Sequence, residues 1–542
     1  MEQIKLLDCT LREAPLNGLR YGSRFLYNFI NGLEKTKVDF IEVGFLKDGI
    51  YENGSAVFSD VLQINNYLLN KKKDIKYVAL IDVGRFSVDT LPDYDGKSID
   101  GVRICFKKGE ECEAIKYGEL IKSKGYLVFI QHVDTLGYND EEIVAFIREV
   151  NKINPYAYSI VDTFGAMYQS DIRHLYEIVS HNLNRNIRLG FHSHNNLMLA
   201  NSNSQEFIRI ASNDKREIIV DASVLGCGRG AGNAHTELIM EFLNRKYGTE
   251  YNVNELLDLI DMQMPVIEQK CTWGYSIPYF ISGLHNAHVF NVNQLLKRHN
   301  IKSRDLRAII ELLSEQEKKK YNYTLLEKLY VNYFNNEVDD TIIREKLKKE
   351  IKDRKILLLA PGKSLRTEKE KIEDFILNEK PVIIAVNNII VDYKTDYIFF
   401  SGIKRYEFIE QKHDEIKSKL IITSNIKQEG EEKEYIINYL SLIKYGWVNI
   451  DNSAILLLRL LVSLNVKSIY IAGLDGFIFS GKDNFYRDEL SSEEIDYEGL
   501  QLLNKEMRGM LSDIRSECEQ NHICFKLITR SLYDDVWEDD NV

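Results

Sequence analysis

Arg188-Leu189-Gly190-Phe191-His192-Ser193-His194-Asn195-Asn196 is the stretch on which the reading of the chain turns. An apolar run stops at two histidines one residue apart, and the two-residue period of an extended strand puts both imidazoles on one face. Two such nitrogens at a strand end can grip one divalent metal, and in a (β/α)8 barrel the carboxyl ends of the strands are where active sites lie. The competing reading is a pair of ordinary polar residues closing a strand, and a bare His-x-His does not choose between the two.

Working outward, short apolar runs recur at residues 4–10, 39–45, 75–82, 101–107, 126–133, 157–164, 187–194 and 217–226, with amphipathic stretches between them. Buried parallel strands read as near-continuous apolar runs such as Tyr77-Val78-Ala79-Leu80-Ile81, and eight βα units of this combined length match the ordinary size of a (β/α)8 barrel. An N-terminal TIM barrel over residues 1–250 is therefore expected. Polar residues close the runs: Asp8, Thr10 and Arg12; Glu42; Asp82; His132 and Asp134; Asp162 and Thr163; His192 and His194; Asp221. They imply one ring of chemistry, within which Asp8 and Thr163 are candidates for substrate contact.

The richest segment leaves the first strand as Leu7-Asp8-Cys9-Thr10-Leu11-Arg12-Glu13. Glu13 can supply the anionic ligand that two neutral histidines lack, giving one carboxylate and two imidazoles with open positions for substrate or water. Arg12 stands beside that set as a second positive centre for an oxyanion. After the eighth strand comes the glycine-rich turn Leu225-Gly226-Cys227-Gly228-Arg229-Gly230-Ala231-Gly232-Asn233, at a barrel position where backbone N–H groups often bind anions, with Gly230 a candidate for substrate contact. A tight loop with no ligand is the alternative.

Leu7 to Glu13, Gly190-Phe191-His192-Ser193-His194-Asn195-Asn196 and Gly228-Arg229-Gly230-Ala231-Gly232-Asn233-Ala234-His235-Thr236-Glu237, in that order over about residues 1–290, resemble the DRE-TIM metallolyases, or HMG-CoA-lyase-like family. The most similar branch is that of the 4-hydroxy-2-oxovalerate aldolases, including aldolases of polysaccharide gene clusters. The resemblance implies a divalent ion, Mn2+ or Mg2+, held by Glu13, His192 and His194, with Asn233 a further ligand. It also implies that Arg12 stabilises the enolate of a 2-oxo acid such as pyruvate, with an aldehyde, sugar-derived in surface-polysaccharide biosynthesis, as the second partner. Such aldolases commonly continue the first motif as Arg-Asp-Gly and carry a histidine base a few residues later, whereas here Arg12-Glu13 runs into Ala14-Pro15-Leu16-Asn17. Glutamate at the metal position occurs in the acyl-CoA-condensing branch, so an acyl-CoA-dependent synthase or lyase is a rival. His132 and Tyr275, with Tyr279, are candidates by position for the missing acid or base. A barrel that binds without catalysing is a rival of another class.

Residues 251–350 form a helical extension and connector in this reading, with charge-rich Ser314-Glu315-Gln316-Glu317-Lys318-Lys319-Lys320 and leucines at helical spacing (Leu325, Leu326, Leu329). A short coiled coil that builds a homo-oligomer is an alternative use of this segment.

A second α/β domain is expected over 351–542, an open, Rossmann-like doubly wound sheet with strands at Lys355 to Leu359, 381–386, 396–400, 419–423, 467–472 and 524–528. The turn after its first strand, Pro361-Gly362-Lys363-Ser364-Leu365, is where such a sheet receives a nucleotide phosphate, although Walker A spacing is absent. That turn, Ala385-Val386-Asn387-Asn388, Asn452-Ser453 and Ala472-Gly473-Leu474-Asp475-Gly476 are similar in order to elements of bacterial family 42 CMP-sialyltransferases. The resemblance implies that Gly362, Lys363, Ser364, Asn387 and Asn388 line a nucleotide or nucleotide-sugar pocket. Those transferases use a histidine base after the Gly-x-Asp segment, and no histidine lies between Asp475 and Asn521, so recognition rather than glycosyl transfer is expected.

The net charge of −12 and pI near 5.6 argue against a nucleic-acid surface. Seven cysteines without a Cys-x-x-Cys read as reduced residues of a cytoplasmic protein, and no apolar run approaches the roughly 18 residues of a membrane span. The first residues enter a strand at once, which leaves no room for a signal peptide.

Overall fold

The computed structural model describes residues 3–14, 20–297, 301–390, 392–410, 417–478 and 497–537. The chain divides into two compact units, Met1–Gln294 with Ser303–Asn322, and Leu295–Lys302 with Tyr323–Val542. Pro15, Leu16 and Asn17, where the family motif departs, lie outside the described residues.

The first unit is a closed parallel barrel. Its strands are β1 (Ile4–Asp8), β2 (Phe40–Leu46), β4 (Lys76–Asp82), β5 (Gly101–Phe106), β6 (Leu127–His132), β7 (Ala157–Asp162), β8 (Arg188–Ser193) and β9 (Ile218–Ala222); a two-residue β3 (Val57–Phe58) adds to the outer end of β2. They run β1-β9-β8-β7-β6-β5-β4-β2, and β1 pairs with β2 to close the ring. Helices follow because polar caps and apolar stripes alternate with the strands. Asn139, for example, takes the Glu142 N–H at 2.9 Å while Glu142 takes the Asn139 N–H at 2.8 Å, starting helix Asp140–Ile153, which ends where Asn154 turns left-handed at φ 50°. Its buried face of Ile143, Phe146, Ile147 and Val150 then packs on the outside of the barrel.

Alternation along each strand separates two cores. Leu7, Cys9, Phe40, Val78, Phe129, Ala157 and Ile219 point inward and fill the barrel floor. Their neighbours, such as Leu6, Ile41, Tyr77, Val128, Tyr158 and Val220, point outward under the helices. Near the mouth β2 is irregular: its register against β4 shifts between Glu42 and Phe45, and Gly44, at φ 148°, brings the backbone so close to β3 that a Cβ would lie 2.0 Å from the Ala56 carbonyl.

The second unit holds a seven-stranded parallel sheet in the order β14-β13-β12-β11-β10-β15-β16. Its strands are β10 (Lys355–Leu359), β11 (Val382–Val386), β12 (Tyr397–Phe400), β13 (Lys419–Thr423), β14 (Glu434–Ile437), β15 (Ser468–Ala472) and β16 (Cys524–Leu527). The order reverses at β10, as in a doubly wound sheet. The edge strand β14 is the addition to the sequence reading; it is four residues long and follows the charge run Glu429 to Lys433. All seven cysteines are unpaired thiols, and among the described residues no helix is long and apolar enough to cross a membrane.

Phe129 seals the barrel floor, with ring centroids 5.8 Å from Phe40 and 5.1 Å from Tyr156. Phe129→Ala is expected to cost about 3–5 kcal/mol, read as a lowered denaturation midpoint, and a wild-type midpoint would contradict this packing.

Candidate metal centre

Inward parity carries one residue per strand end into the barrel mouth. β1 runs into a single helical turn, Thr10–Glu13, anchored by the Cys9 N–H to the Ala222 carbonyl at 2.9 Å and by the Glu13 N–H to the Cys9 carbonyl at 3.0 Å. That turn swings Arg12 and Glu13 over β8, where His192 and His194 stand with ring centroids 5.1 Å apart. Ligand atoms of Glu13, His192 and His194 all lie within 4.8 Å of one another, and all three residues are buried.

Each donor is in the form a cation needs. His192 Nδ1 is 3.0 Å from Asp221 Oδ2. That contact turns Nδ1 to Asp221 and leaves Nε2, 3.6 Å from Glu13 Oε1, facing the cluster. Burial holds the His194 imidazole down to about 3, against the pull of Glu13, so it is neutral. Burial pushes the Glu13 carboxyl up, but the positive charges facing it, Arg12 foremost, outweigh it and hold the group at about 2. Glu13 Oε2 is buried with no hydrogen-bond partner. Asn233 is bridged to His194 through the backbone and gives its Nδ2 to the Cys227 carbonyl at 2.9 Å, and its Oδ1 is likewise buried and unpartnered. A Cβ on Gly228 would lie 3.3 Å from Glu13 Oε2 and 2.4 Å from Asn233 Nδ2, so a side chain there would intrude on both. Orphaned oxygens beside two imidazoles fit a divalent ion.

Behind the ligands lies an ionic chain that sequence reading missed. Arg12 Nε donates to Glu42 Oε2 at 2.8 Å and its Nη1 donates to Glu13 Oε1. Arg103 Nη1 pairs with Glu42 Oε1 at 2.9 Å, while its Nη2 donates to Asp221 Oδ2 and, at 2.9 Å, to Gln131 Oε1. Arg103 is buried in the middle of β5; its inward parity was the available signal. Burial works against the Arg12 and Arg103 charges, but their carboxylate partners outweigh it and keep both cationic.

Some expected site residues face elsewhere. His132 has outward parity: its Nδ1 meets the Tyr158 hydroxyl at 2.5 Å, it packs against Phe106, Tyr138 and Phe146, and burial holds it neutral, down to about 3. It is a core histidine on the helix side of the sheet and cannot act at the mouth. Asp8 is also outward; its oxygens take the Thr10 N–H at 3.0 Å and the Thr236 hydroxyl at 2.6 Å, fastening the motif turn to the following helix rather than meeting substrate. Tyr275 is 55% exposed. Thr163 has inward parity and accepts the Asp134 N–H at 2.7 Å, and Gly230, at φ 64°, leaves room for the Asn196 amide oxygen, which takes the Ala231 N–H at 3.0 Å. His288, which the sequence did not single out, comes from the extension to lie 6.3 Å, ring to ring, from Phe164 just beyond β7.

In the second unit, the Ser364 N–H donates to Asp475 Oδ2 at 2.7 Å and the Ser364 hydroxyl donates to Asp475 Oδ1. A Cβ on Gly362 would lie 2.2 Å from the Gly473 carbonyl. The chain's own carboxylate therefore sits where the expected phosphate would take its donors, which corrects the assignment of Ser364. Asn387 and Asn388 do end β11, Asn387 donating to Ser453 Oγ at 2.7 Å.

Comparison with known proteins bears on the first unit. Residues 107–262 match the HMGL-like family model. Over these residues the barrel is similar to the HMGL-like family. Over 246 residues the chain is 24% identical to an oxaloacetate decarboxylase of Mycobacterium tuberculosis, a match covering 44% of this chain and 70% of the relative. Over 333 residues it is 23% identical to a 4-hydroxy-2-oxovalerate aldolase of Geobacillus genomosp. 3, covering 57% and 91%. Among solved structures, HMG-CoA lyase of Bacillus subtilis is 15% identical, covering 50% of this chain and 94% of that one, with a TM-score of 0.40. The HMGL-like match, the aldolase relative and the assembled Glu13, His192 and His194 support a carbon–carbon lyase that works with a divalent metal.

Two substitutions test the centre by calorimetric titration with Mn2+. His192→Ala is expected to abolish binding, and Asp221→Asn, which unfastens the imidazole, to weaken it by about 10- to 100-fold. Wild-type affinity in His192→Ala would contradict the assignment.

Proposed function

We propose that the chain is a divalent-metal-dependent aldolase that makes or breaks a carbon–carbon bond between the enolate of a 2-oxo acid, pyruvate in the simplest case, and an aldehyde. The observation that carries this reading is the placing of Arg12 beside the buried trio of Glu13, His192 and His194 at one barrel mouth. The relatives named for 4-hydroxy-2-oxovalerate and oxaloacetate, both 2-oxo acids, support the substrate class.

Glu13, His192 and His194, with Asn233 beside them, would hold a divalent ion that would supply Lewis acidity toward a 2-oxo acid. The chain's own contribution is charge fixed in advance. Arg12 spends Nε on Glu42 and Nη1 on Glu13, so the guanidinium plane is set and Nη2 remains for the oxygen that becomes negative. In cleavage the electron pair of the breaking C3–C4 bond moves onto the keto oxygen, the C4 hydroxyl gives its proton to solvent as it becomes the aldehyde, and the enolate carbon then takes a proton from solvent. Negative charge thus grows where a positive group already waits, with no reorganisation. The deep ionic chain keeps Arg12 from rotating away.

Glutamate rather than aspartate at position 13 favours a second reading, an acyl-CoA-dependent synthase or lyase on the same barrel. Exchange of pyruvate methyl protons with deuterated solvent separates the readings, because an aldolase enolises pyruvate without acyl-CoA. Metal-dependent exchange is expected in the wild type, and Arg12→Lys is expected to lose on the order of 100-fold in rate, since a point charge does not reproduce a fixed fork. Exchange that requires an acyl-CoA would favour the second reading, its absence under all conditions would leave a binding protein, and an unchanged rate in Arg12→Lys would remove Arg12 from the chemistry.

A further inference from the structure

The turn after β9 carries a cation that neither the ligand trio nor its ionic chain uses. Arg229 lies between Gly228, whose Cβ position is 3.3 Å from Glu13 Oε2, and Gly230, whose Cβ position is 2.8 Å from Val289 Cγ1. The turn is thereby pinned between the metal ligands and the extension. Arg229 Nε is buried without a hydrogen-bond partner, and among the described residues no carboxylate forms an ion pair with Arg229. Its charge acts on Glu13, Arg12, Asp82 and His194, and on His288 from the extension. Asp82, the acid that ends β4, is already engaged by Arg85 at 3.1 Å.

The charges at the mouth show why this cation is surplus. Glu13, Glu42 and Asp221 are three carboxylates facing two guanidiniums, Arg12 and Arg103. A divalent ion and the carboxylate of one 2-oxo acid bring that set to neutrality without Arg229. Arg229 as a whole is half-buried, but its Nε is buried with no partner, which is costly, and desolvation does press the Arg229 charge downward. The cost is met when a reactant brings a further anion.

We propose that Arg229 is a second anion subsite of the same centre and selects a reactant with a distal carboxylate in addition to the carboxylate of the 2-oxo acid, an inference that rests on the aldolase reading. One guanidinium carries a single charge and a planar fork that matches a carboxylate in two parallel hydrogen bonds, whereas a phosphate dianion would call for a second cation. The glycines on either side keep side chains away from the approach, and the extension forms the far wall through Val289.

The test is calorimetric titration of the full-length, Mn2+-loaded protein with 2-oxoglutarate and 2-oxopentanoate, five-carbon 2-oxo acids that end in a carboxylate and a methyl group. Wild type is expected to bind 2-oxoglutarate about tenfold or more tightly than 2-oxopentanoate, as one charge-assisted pair warrants. Arg229→Gln is expected to bind the two alike, and Arg229→Lys to keep part of the preference. A wild type without the preference, or a preference that survives in Arg229→Gln, overturns the proposal. The wild-type comparison stands even if a variant does not fold. Failure of the aldolase reading shows separately, as absence of pyruvate proton exchange in the wild type.

Discussion

A closed circuit of buried charge holds the mouth of the barrel together: Glu13 to Arg12, Arg12 to Glu42, Glu42 to Arg103, Arg103 to Asp221, Asp221 to His192, and His192 back to Glu13. Opposite charges at such depth are stable only when each is matched, because removing one partner strands the other in a poorly solvated interior. The circuit therefore acts as a positional constraint. It joins β1, β2, β5, β8 and β9, turns Nδ1 of His192 to Asp221, turns the Glu13 carboxylate toward the histidines and clamps Arg12. The placing of two of the three metal ligands, Glu13 and His192, depends on the same six groups.

The strands were legible because parallel barrel strands are buried on both faces and show as apolar runs, and the ligands were legible because His192 and His194 share parity at the end of such a run. What the sequence did not disclose is which residue of a strand end turns inward. Asp8 and His132 sit at strand ends as polar residues do in an active site, yet each is one position out of phase with the inward set, and a shift of one residue sends a side chain to the other face. Arg103 and Gln131 were overlooked for the converse reason: they lie inside runs that read as core, and their pairing partners are remote in sequence. Arg229 lies in a glycine-rich turn, a pattern that marks backbone N–H groups and carries no signal for a side chain.

The same principle governs the second unit. A turn following the first strand of a doubly wound sheet offers free N–H groups, and a sequence cannot say whether a ligand or the chain itself will occupy them. Here Asp475, from the loop after β15, the strand that adjoins β10 on its other side, supplies the carboxylate. The order of elements was readable, whereas the pairing of Ser364 with a residue more than a hundred positions away was not. Edge strand β14 escaped because four residues after a charge run give too short a pattern to separate from a loop.

The decisive observation concerns the ligands themselves. Electron spin echo spectroscopy of the protein loaded with Mn2+ reads the nitrogens bound to the ion directly. A single class of bound ion coupled to two imidazole nitrogens is expected, from His192 and His194. An ion bound without histidine nitrogen coupling, or coupled to one imidazole only, would contradict a centre built from Glu13, His192 and His194.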